Sequence, residues 1–181
     1  MIRTRVGYAG GTKKEPTYRH LGDHSETIQI DYDPSQISYI TLLDIFWKNH
    51  NPHRKTWSRQ YASLIFYHND EQKTLATGSK DRLQTATGNA IYTEIIPHST
   101  FYFTEDYHQK YYLRRHRDIL QEFTIMYPDI HDFLHSTATA RVNGYLAGYG
   151  SFADLKSEIG TFGLSPEGRS RLLGIVYSLS R

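Results

Sequence analysis

Alternating apolar and polar residues predict strands in the first half of the chain. In the stretch of residues 26–32, Ile28, Ile30 and Tyr32 lie on one face, and the polar residues Thr27, Gln29 and Asp31 lie on the other. A two-residue period of this kind predicts a half-buried β-strand. Short runs rich in β-branched and aromatic residues predict three further strands, at residues 3–8, 62–67 and 90–96.

Helical spacing of apolar residues appears between these strands and after them. Ser38 precedes a run of apolar positions at helical spacing, which predicts a helix that starts at Ser38 and runs to about His50. A polar helix is predicted over residues 71–84, and from residue 105 onward the pattern is helical. Ser165 and Pro166 form an N-cap followed by a proline, which predicts the start of a last helix. The order of strands and helices indicates an α+β protein.

The composition restricts the classes of function that the chain can have. With 181 residues, of which 38% are hydrophobic, the chain is long enough to bury a core. The formal net charge of +2, with both signs mixed along the sequence, gives no strong field for nucleic acid or an anionic membrane. No stretch approaches the roughly 20 apolar residues of a membrane span. We therefore expect a soluble, cytoplasmic protein that binds neither nucleic acid nor membranes.

The chain contains no cysteine. This absence excludes disulfides, thiolate metal sites and thiol nucleophiles within the chain. The sequence also lacks the Gly-x-Gly-x-x-Gly turn that binds flavin or nicotinamide nucleotides, so we expect no cofactor.

Seven short motifs follow one another in an order that is typical of a known enzyme family. They are Gly7-Tyr8-Ala9-Gly10-Gly11, Pro16-Thr17-Tyr18, Asp23-His24-Ser25-Glu26, Tyr32-Asp33-Pro34, Phe46-Trp47-Lys48-Asn49-His50, Gln60-Tyr61 and the run from Phe101 to Gln109. By these motifs the chain resembles the peptide methionine sulfoxide reductase A family. The likeness covers about residues 3–113, which predicts a reductase-like domain over residues 1–113 and a helical C-terminal extension over residues 114–181.

The resemblance also implies a fold. The family's fold is a two-layer α+β sandwich, a ferredoxin-like plait. Met1 aligns beyond the Gly-Cys-Phe-Trp motif that carries the family's nucleophile. The resemblance therefore implies that the first strand, the nucleophile and the first helix are missing from this chain.

In the family that the chain resembles, the substrate is the S-epimer of methionine sulfoxide, free or in a protein. A cysteine thiolate attacks the sulfur while an acid protonates the departing oxygen, and a thioredoxin-like reductant restores the thiol. The resemblance implies that Glu26 is the general acid and that Tyr18 and Tyr61 bind the sulfoxide oxygen. It further implies that His108 and Tyr111 line the pocket from its C-terminal side.

Other interpretations of these residues remain open. The family's Gly-Asn-Asp step is absent, and residues 56–59 form a shortened loop in its place, so the carboxylate that positions water has no evident equivalent. Without the resemblance, Glu26 would be interpreted as an exposed strand residue, and Tyr18 and Tyr61 as packing residues. His24 is expected to be a structural histidine that hydrogen-bonds rather than a ligand.

Three functions remain possible for the chain. The thiolate supplies two electrons that no acid can replace, so the chain as it stands is predicted not to reduce methionine sulfoxide. It is either a piece of a reductase whose upstream segment carries the nucleophile, or a non-catalytic relative that binds methionine sulfoxide or another small ligand. The third alternative is a metal-binding protein that uses histidine pairs at four-residue spacing, namely His20 with His24 and His131 with His135.

Overall fold

The computed structural model describes residues 2–180 and combines short strands with helices. Within this range the strands are β1 (Arg3–Ala9), β2 (Ser25–Asp31), β3 (Leu64–Tyr67), β4 (Glu94–Pro97) and β5 (Tyr102–Phe103). The α-helices are α1 (Tyr39–Lys48), α2 (Asp70–Thr87), α3 (Tyr111–Arg114), α4 (Arg117–Met126), α5 (Ile130–His135), α6 (Thr137–Leu146), α7 (Phe152–Glu158) and α8 (Pro166–Leu179). The mixture of sheet and helix confirms the α+β class. None of the helices in the described range is long and apolar enough to cross a membrane.

The chain divides into two compact units. The helical unit contains the residues up to Arg5, Gln29–Asp31 and the chain from Glu105 onward. The mixed unit contains Val6–Ile28 and Tyr32–Thr104. Strands β1 and β2 therefore contribute residues to both units, and the division into two domains that the sequence suggests stays a prediction.

Three strands of the described chain form one sheet in the order β2-β1-β5. β1 and β5 run antiparallel, with Gly7 opposite Phe103 and Tyr8 opposite Tyr102. A Cβ atom at Gly7 would lie 2.3 Å from the carbonyl oxygen of Tyr102. Only glycine therefore allows the two backbones to approach this closely. The neighbouring Tyr8 is buried and anchors β1 in the core.

β3 and β4 form a second sheet and pair in parallel, with Ile65 opposite Ile95. Parallel strands need a crossover connection, and the connection between these two strands contains α2. Leu43 of α1, Ile65 of β3 and Ala76 of α2 form a small buried core against this sheet. Of the apolar positions of α1 that the sequence places at helical spacing, Leu43 is buried and Phe46 packs against this core, whereas Ile45 is 49% exposed.

The helical unit is built around one larger apolar core. α4 buries Ile119 and Phe123 on one face, as expected for an amphipathic helix at a core. Glu122 of the same helix accepts hydrogen bonds from the backbone N–H of Ser165 at 2.7 Å and from its hydroxyl at 2.8 Å, which fixes the start of α8. The buried residues of this core are Leu113, Ile119, Phe123, Phe133, Leu134, Val142, Tyr145, Leu146, Leu155, Ile159, Phe162, Leu164, Leu172 and Val176.

The starts of α1 and α8 agree with the predictions from the sequence, whereas the burial of β2 does not. Ser38 caps α1 by accepting a hydrogen bond from the backbone N–H of Thr41, and Ser165 caps α8 with Pro166 at its start. The prediction of a half-buried apolar face on β2 is wrong at Ile28, which is 57% exposed. Alternation shows which residues share a face, but it does not show whether another layer covers that face.

The region before β5 is less regular than the sequence predicts. The strand predicted over residues 90–96 is limited to Glu94–Pro97. Residues 90–93, which were predicted to be strand, are irregular and include the buried Thr93. The hydroxyl of Thr93 lies 2.9 Å from the hydroxyl of Ser63 and 3.2 Å from Nε2 of His50. These side-chain hydrogen bonds, together with the backbone N–H of Tyr92 donating to the carbonyl oxygen of Pro52 at 2.8 Å, hold this segment in place of a strand ladder.

Candidate functional site

A three-residue 3-10 helix, Arg59–Tyr61, positions the centre of the candidate site. Ser58 caps this helix, because its hydroxyl accepts a hydrogen bond from the backbone N–H of Gln60 at 3.2 Å. The buried Ser25, which begins β2, donates its hydroxyl proton to the carbonyl oxygen of Arg59 at 2.6 Å. The short helix is thereby tied to the start of β2.

Glu26 follows Ser25, and its carboxylate is held by an amide. Its Oε1 atom accepts a hydrogen bond from Nε2 of Gln60 at 2.8 Å. The side chain of Glu26 is exposed, as expected for an ordinary strand residue. It nevertheless contacts the polar side chain of Gln60. An exposed carboxyl group that is fixed by one amide donor can still reach a ligand.

Tyr18 and Tyr61 lie beside Glu26 and are joined by a hydrogen bond between their side chains. This bond is the main cause that raises the pKa of Tyr61 above its usual range, followed by the electrostatic effect of Tyr18, burial and the Glu26 carboxylate. The phenol of Tyr61 therefore stays protonated at neutral pH and can donate to an acceptor oxygen. We call Tyr18, Glu26, Gln60 and Tyr61 the Glu26 cluster.

His24 and Asp23 fix the loop that follows β1. His24 is fully buried; its Nδ1 accepts from the backbone N–H of Gly11 at 3.1 Å and its Nε2 donates to the carbonyl oxygen of Lys13 at 2.7 Å. Hydrogen bonds from the backbone N–H and the hydroxyl of Thr12, and from the N–H of Lys13, lower the pKa of Asp23 to about 2. Both nitrogen atoms of His24 are engaged by the backbone, which is consistent with its expected structural role.

His108 and Tyr111 belong to the helical unit. His108 ends the short helix Asp106–His108, and its ring lies 4.2 Å from the ring of Tyr107, measured between centroids. Tyr111 begins α3, is exposed, and meets the ring of Tyr112 edge to face. The role of these two residues in a substrate pocket stays a prediction.

A cavity of about 350 Å³ lies in the mixed unit beside the Glu26 cluster. We call it the basic cavity, and its charged and aromatic wall residues are Arg54, Lys55, Trp57, Arg59, Tyr92 and Glu94. Trp57 is 89% exposed, and its ring meets the ring of Tyr61 edge to face at a centroid distance of 6.4 Å. This cavity was not predicted from the sequence, although three cations, Arg54, Lys55 and Arg59, lie within three positions of Trp57.

The histidine pairs differ in their surroundings. His131 and His135 share α5, with ring centroids 6.3 Å apart. His24, from the other pair, uses both ring nitrogens in hydrogen bonds to the backbone. Within residues 2–180, no group of three or more histidine, aspartate or glutamate side chains is placed to hold a metal ion.

The fold and the Glu26 cluster together define an α+β protein with hydrogen-bond donors that can converge on one acceptor oxygen. The sequence model of the family described as peptide methionine sulfoxide reductase matches residues 1–140. The chain is 45% identical over 171 residues to a peptide methionine sulfoxide reductase of Drosophila melanogaster, covering 93% of this chain and 68% of that protein. The chain therefore belongs to the peptide methionine sulfoxide reductase family.

Further comparisons agree with the A type of this family. The chain is 44% identical over 126 residues to the peptide methionine sulfoxide reductase MsrA of Methanosarcina mazei, covering 64% of this chain but only 60% of that protein. The crystal structure of Mxr1 from Saccharomyces cerevisiae in reduced form superposes with a TM-score of 0.58 at 30% identity, over 63% of this chain and 71% of that chain. Methionine sulfoxide reductase A of Corynebacterium diphtheriae gives a TM-score of 0.52 at 28% identity, over 63% of each chain. The predicted resemblance to the A type is thus confirmed.

Proposed function

We propose that this chain recognises the S-epimer of methionine sulfoxide, free or within proteins, and holds the sulfoxide oxygen at the Glu26 cluster. The observation that carries the proposal is the hydrogen bond between Tyr18 and Tyr61 beside the carboxyl group of Glu26. Membership of the family adds the substrate class, because the relatives are named as methionine sulfoxide reductases. The oxygen of a sulfoxide accepts hydrogen bonds, and exposed phenols can donate them.

Each residue of the cluster has a separate part in this proposal. Tyr18 and Tyr61 donate hydrogen bonds to the sulfoxide oxygen. Glu26 is the acid that would protonate this oxygen as it leaves. Gln60 orients the carboxyl group of Glu26 through the 2.8 Å hydrogen bond.

The finer fold that we propose is a ferredoxin-like plait that lacks its first strand and first helix, followed by a helical extension. The exposed Ile28 on β2 supports this assignment, because a missing layer would leave such an apolar residue uncovered. In this arrangement residues 1–113 form the reductase-like domain and residues 114–181 the extension.

Reduction is a step that the chain as it stands cannot complete in this proposal. Converting a sulfoxide into a thioether consumes two electrons and two protons and releases water. In the family a cysteine thiolate supplies the electrons, and this chain contains no cysteine. Glu26 can give a proton but no electrons, so binding and reduction are separated here. A thioredoxin-like reductant likewise has no oxidised cysteine of this chain to act on.

Calorimetry with N-acetyl-methionine S-sulfoxide tests the binding part of the proposal. We expect saturable binding that Tyr18→Phe/Tyr61→Phe weakens about tenfold, because each lost hydrogen bond costs about 0.5–1.5 kcal/mol. Tyr149→Phe removes an exposed phenol of the helical unit and should leave the affinity unchanged. The R-epimer and methionine itself should bind more weakly. No heat at millimolar ligand, or equal binding by the double variant, would refute the proposal.

A further inference from the structure

We propose that the basic cavity binds acidic side chains that flank the oxidised methionine of a protein substrate. This proposal rests on the proposed function, because it assumes that the sulfoxide lies at the Glu26 cluster, but it concerns different residues. It names acidic polypeptide segments, rather than free methionine sulfoxide, as the preferred substrate class.

The wall of the basic cavity carries an excess of positive charge. Arg59 forms an ion pair with Glu94, with 2.7 Å between Nη1 and Oε1, so these two charges offset each other. Arg54 and Lys55 form no ion pair with any carboxylate within residues 2–180. These two cations are adjacent in the chain and repel each other until an anion binds beside them. A carboxylate therefore complements this wall.

Trp57 gives the cavity an apolar surface beside the cations. Its side chain is 89% exposed, although folded proteins normally remove most of a tryptophan surface from water. Tyr92, also on the wall, is half-exposed. Tryptophan, tyrosine and arginine are the residues that most often carry the binding energy at interfaces with polypeptides. The composition of this wall thus fits a peptide segment better than an inorganic anion.

The basic cavity and the Glu26 cluster are joined by one short element. Arg59 is part of the cavity wall, whereas Gln60 and Tyr61 of the same three-residue helix belong to the cluster. The rings of Trp57 and Tyr61 are 6.4 Å apart between centroids. An extended peptide advances about 3.3 Å per residue. A residue one or two positions from a methionine sulfoxide at the cluster would therefore reach the cavity.

Nucleic acid fits this surface less well than an acidic peptide. Phosphate backbones are bound by tracks of cations that neutralise several charges in a row. The cavity offers two cations without a carboxylate partner and also contains Glu94, and the chain has a net charge of only +2. A single-stranded oligonucleotide is therefore included as a competing ligand in the test.

The test compares three seven-residue peptides that carry methionine S-sulfoxide at the centre. Glutamate, alanine or lysine occupies the positions two residues before and after the sulfoxide. Calorimetry measures the affinities, and the fluorescence of Trp57 reports on the cavity. We expect the glutamate peptide to bind about fivefold to tenfold more tightly than the alanine peptide, and the lysine peptide to bind most weakly. Salt should reduce this preference, because exposed charges are screened.

Arg54→Gln/Lys55→Gln should remove the preference for glutamate while the alanine peptide keeps its affinity. The matched control is Arg117→Gln/Lys156→Gln, which removes two exposed cations from the helical unit and should keep the preference. Trp57→Phe should abolish the fluorescence response to the glutamate peptide. Loss of the preference in the control variant as well would show a general charge effect and would overturn the proposal.

The outcomes separate this proposal from the proposed function. If all three peptides bind equally and N-acetyl-methionine S-sulfoxide also binds, the cavity proposal is wrong and the Glu26 cluster assignment stands. If no sulfoxide ligand binds, the proposed function fails first and the cavity proposal fails with it. An oligonucleotide that binds more tightly than the glutamate peptide, and loses affinity in Arg54→Gln/Lys55→Gln, would replace the acidic peptide by nucleic acid.

Discussion

Lys110 is a buried lysine that immediately precedes α3, and its replacement gives a quantitative test of the helical unit. Its ammonium group donates hydrogen bonds to the carbonyl oxygens of Thr4 and Leu134. Burial in the first place, and the guanidinium group of Arg5 in the second, lower the pKa of Lys110 from 10.5 to about 8. Lys110 is therefore charged in the folded chain at neutral pH, and it becomes a neutral amine at moderately alkaline pH.

The sign of the effect follows from proton binding. Between about pH 8 and pH 10.5 the unfolded chain binds more protons at Lys110 than the folded chain, so the free energy of unfolding rises with pH. Over the whole range of titration, the lowered pKa of Lys110 changes the free energy of unfolding by about 3 kcal/mol. About 2 kcal/mol of this change should be gained between about pH 7 and pH 9.5. At higher pH the tyrosines act in the opposite direction, because burial and Glu158 raise the pKa of Tyr145 in the folded state.

Urea unfolding at a series of pH values measures this gain. The chain should gain about 2 kcal/mol from pH 7 to pH 9.5, whereas Lys110→Met should lose the rise, because methionine has no proton to release. Lys14→Met, at an exposed position, is the matched control and should keep the rise. A rise that persists unchanged in Lys110→Met would refute the reasoning.

Three further predictions concern single substitutions inside the mixed unit or inside the helical unit, and urea unfolding measures the effect of each on the free energy of unfolding. Gly11→Ala should lower the free energy of unfolding by about 1–3 kcal/mol, because a Cβ would lie 2.5 Å from Oδ1 of Asp23; an unchanged midpoint would contradict the loop geometry. Gly78→Ala in α2 should raise the free energy of unfolding by about 0.5–1 kcal/mol, because alanine loses less conformational entropy than glycine when it enters a helix. The added Cβ fits, since its nearest neighbour is the flexible end of Arg82 at 3.5 Å. Leu172→Ala should lower the free energy of unfolding by about 2–5 kcal/mol, because this side chain is fully buried in the core of the helical unit.

The elements that the sequence could predict are those with local signals. Ser38 and Ser165 mark helix starts because an N-cap hydroxyl satisfies backbone donors within its own turn. β5 was not predicted, because Tyr102–Phe103 is too short to show an alternation. The exposure of Ile28 depends on what lies over β2, which no local pattern encodes. The family model matches residues 1–140, whereas the last motif that the sequence shows ends at Gln109. The helices after Gln109 carry few short motifs, so this part of the match could not be predicted.

The candidate site could be predicted only in part, and for a different reason. Tyr18, Glu26 and Tyr61 are far apart in the sequence, so only the family likeness suggested that they meet, and the structure brings them together. The basic cavity depends on the ion pair between Arg59 and Glu94, which are 35 positions apart. Its loop departs from the family pattern, so the likeness could not identify it.

We propose that this chain binds a methionine sulfoxide but supplies no electrons to reduce it, because it contains no cysteine. The most direct measurement incubates the purified chain with N-acetyl-methionine S-sulfoxide and dithiothreitol and quantifies N-acetyl-methionine by chromatography. The chain should first be treated with a thiol-alkylating reagent, which inactivates contaminating thiol enzymes and leaves a cysteine-free chain unchanged. We predict no product above the reductant alone at any concentration of the chain. Product that increases in proportion to the alkylated chain would contradict the claim.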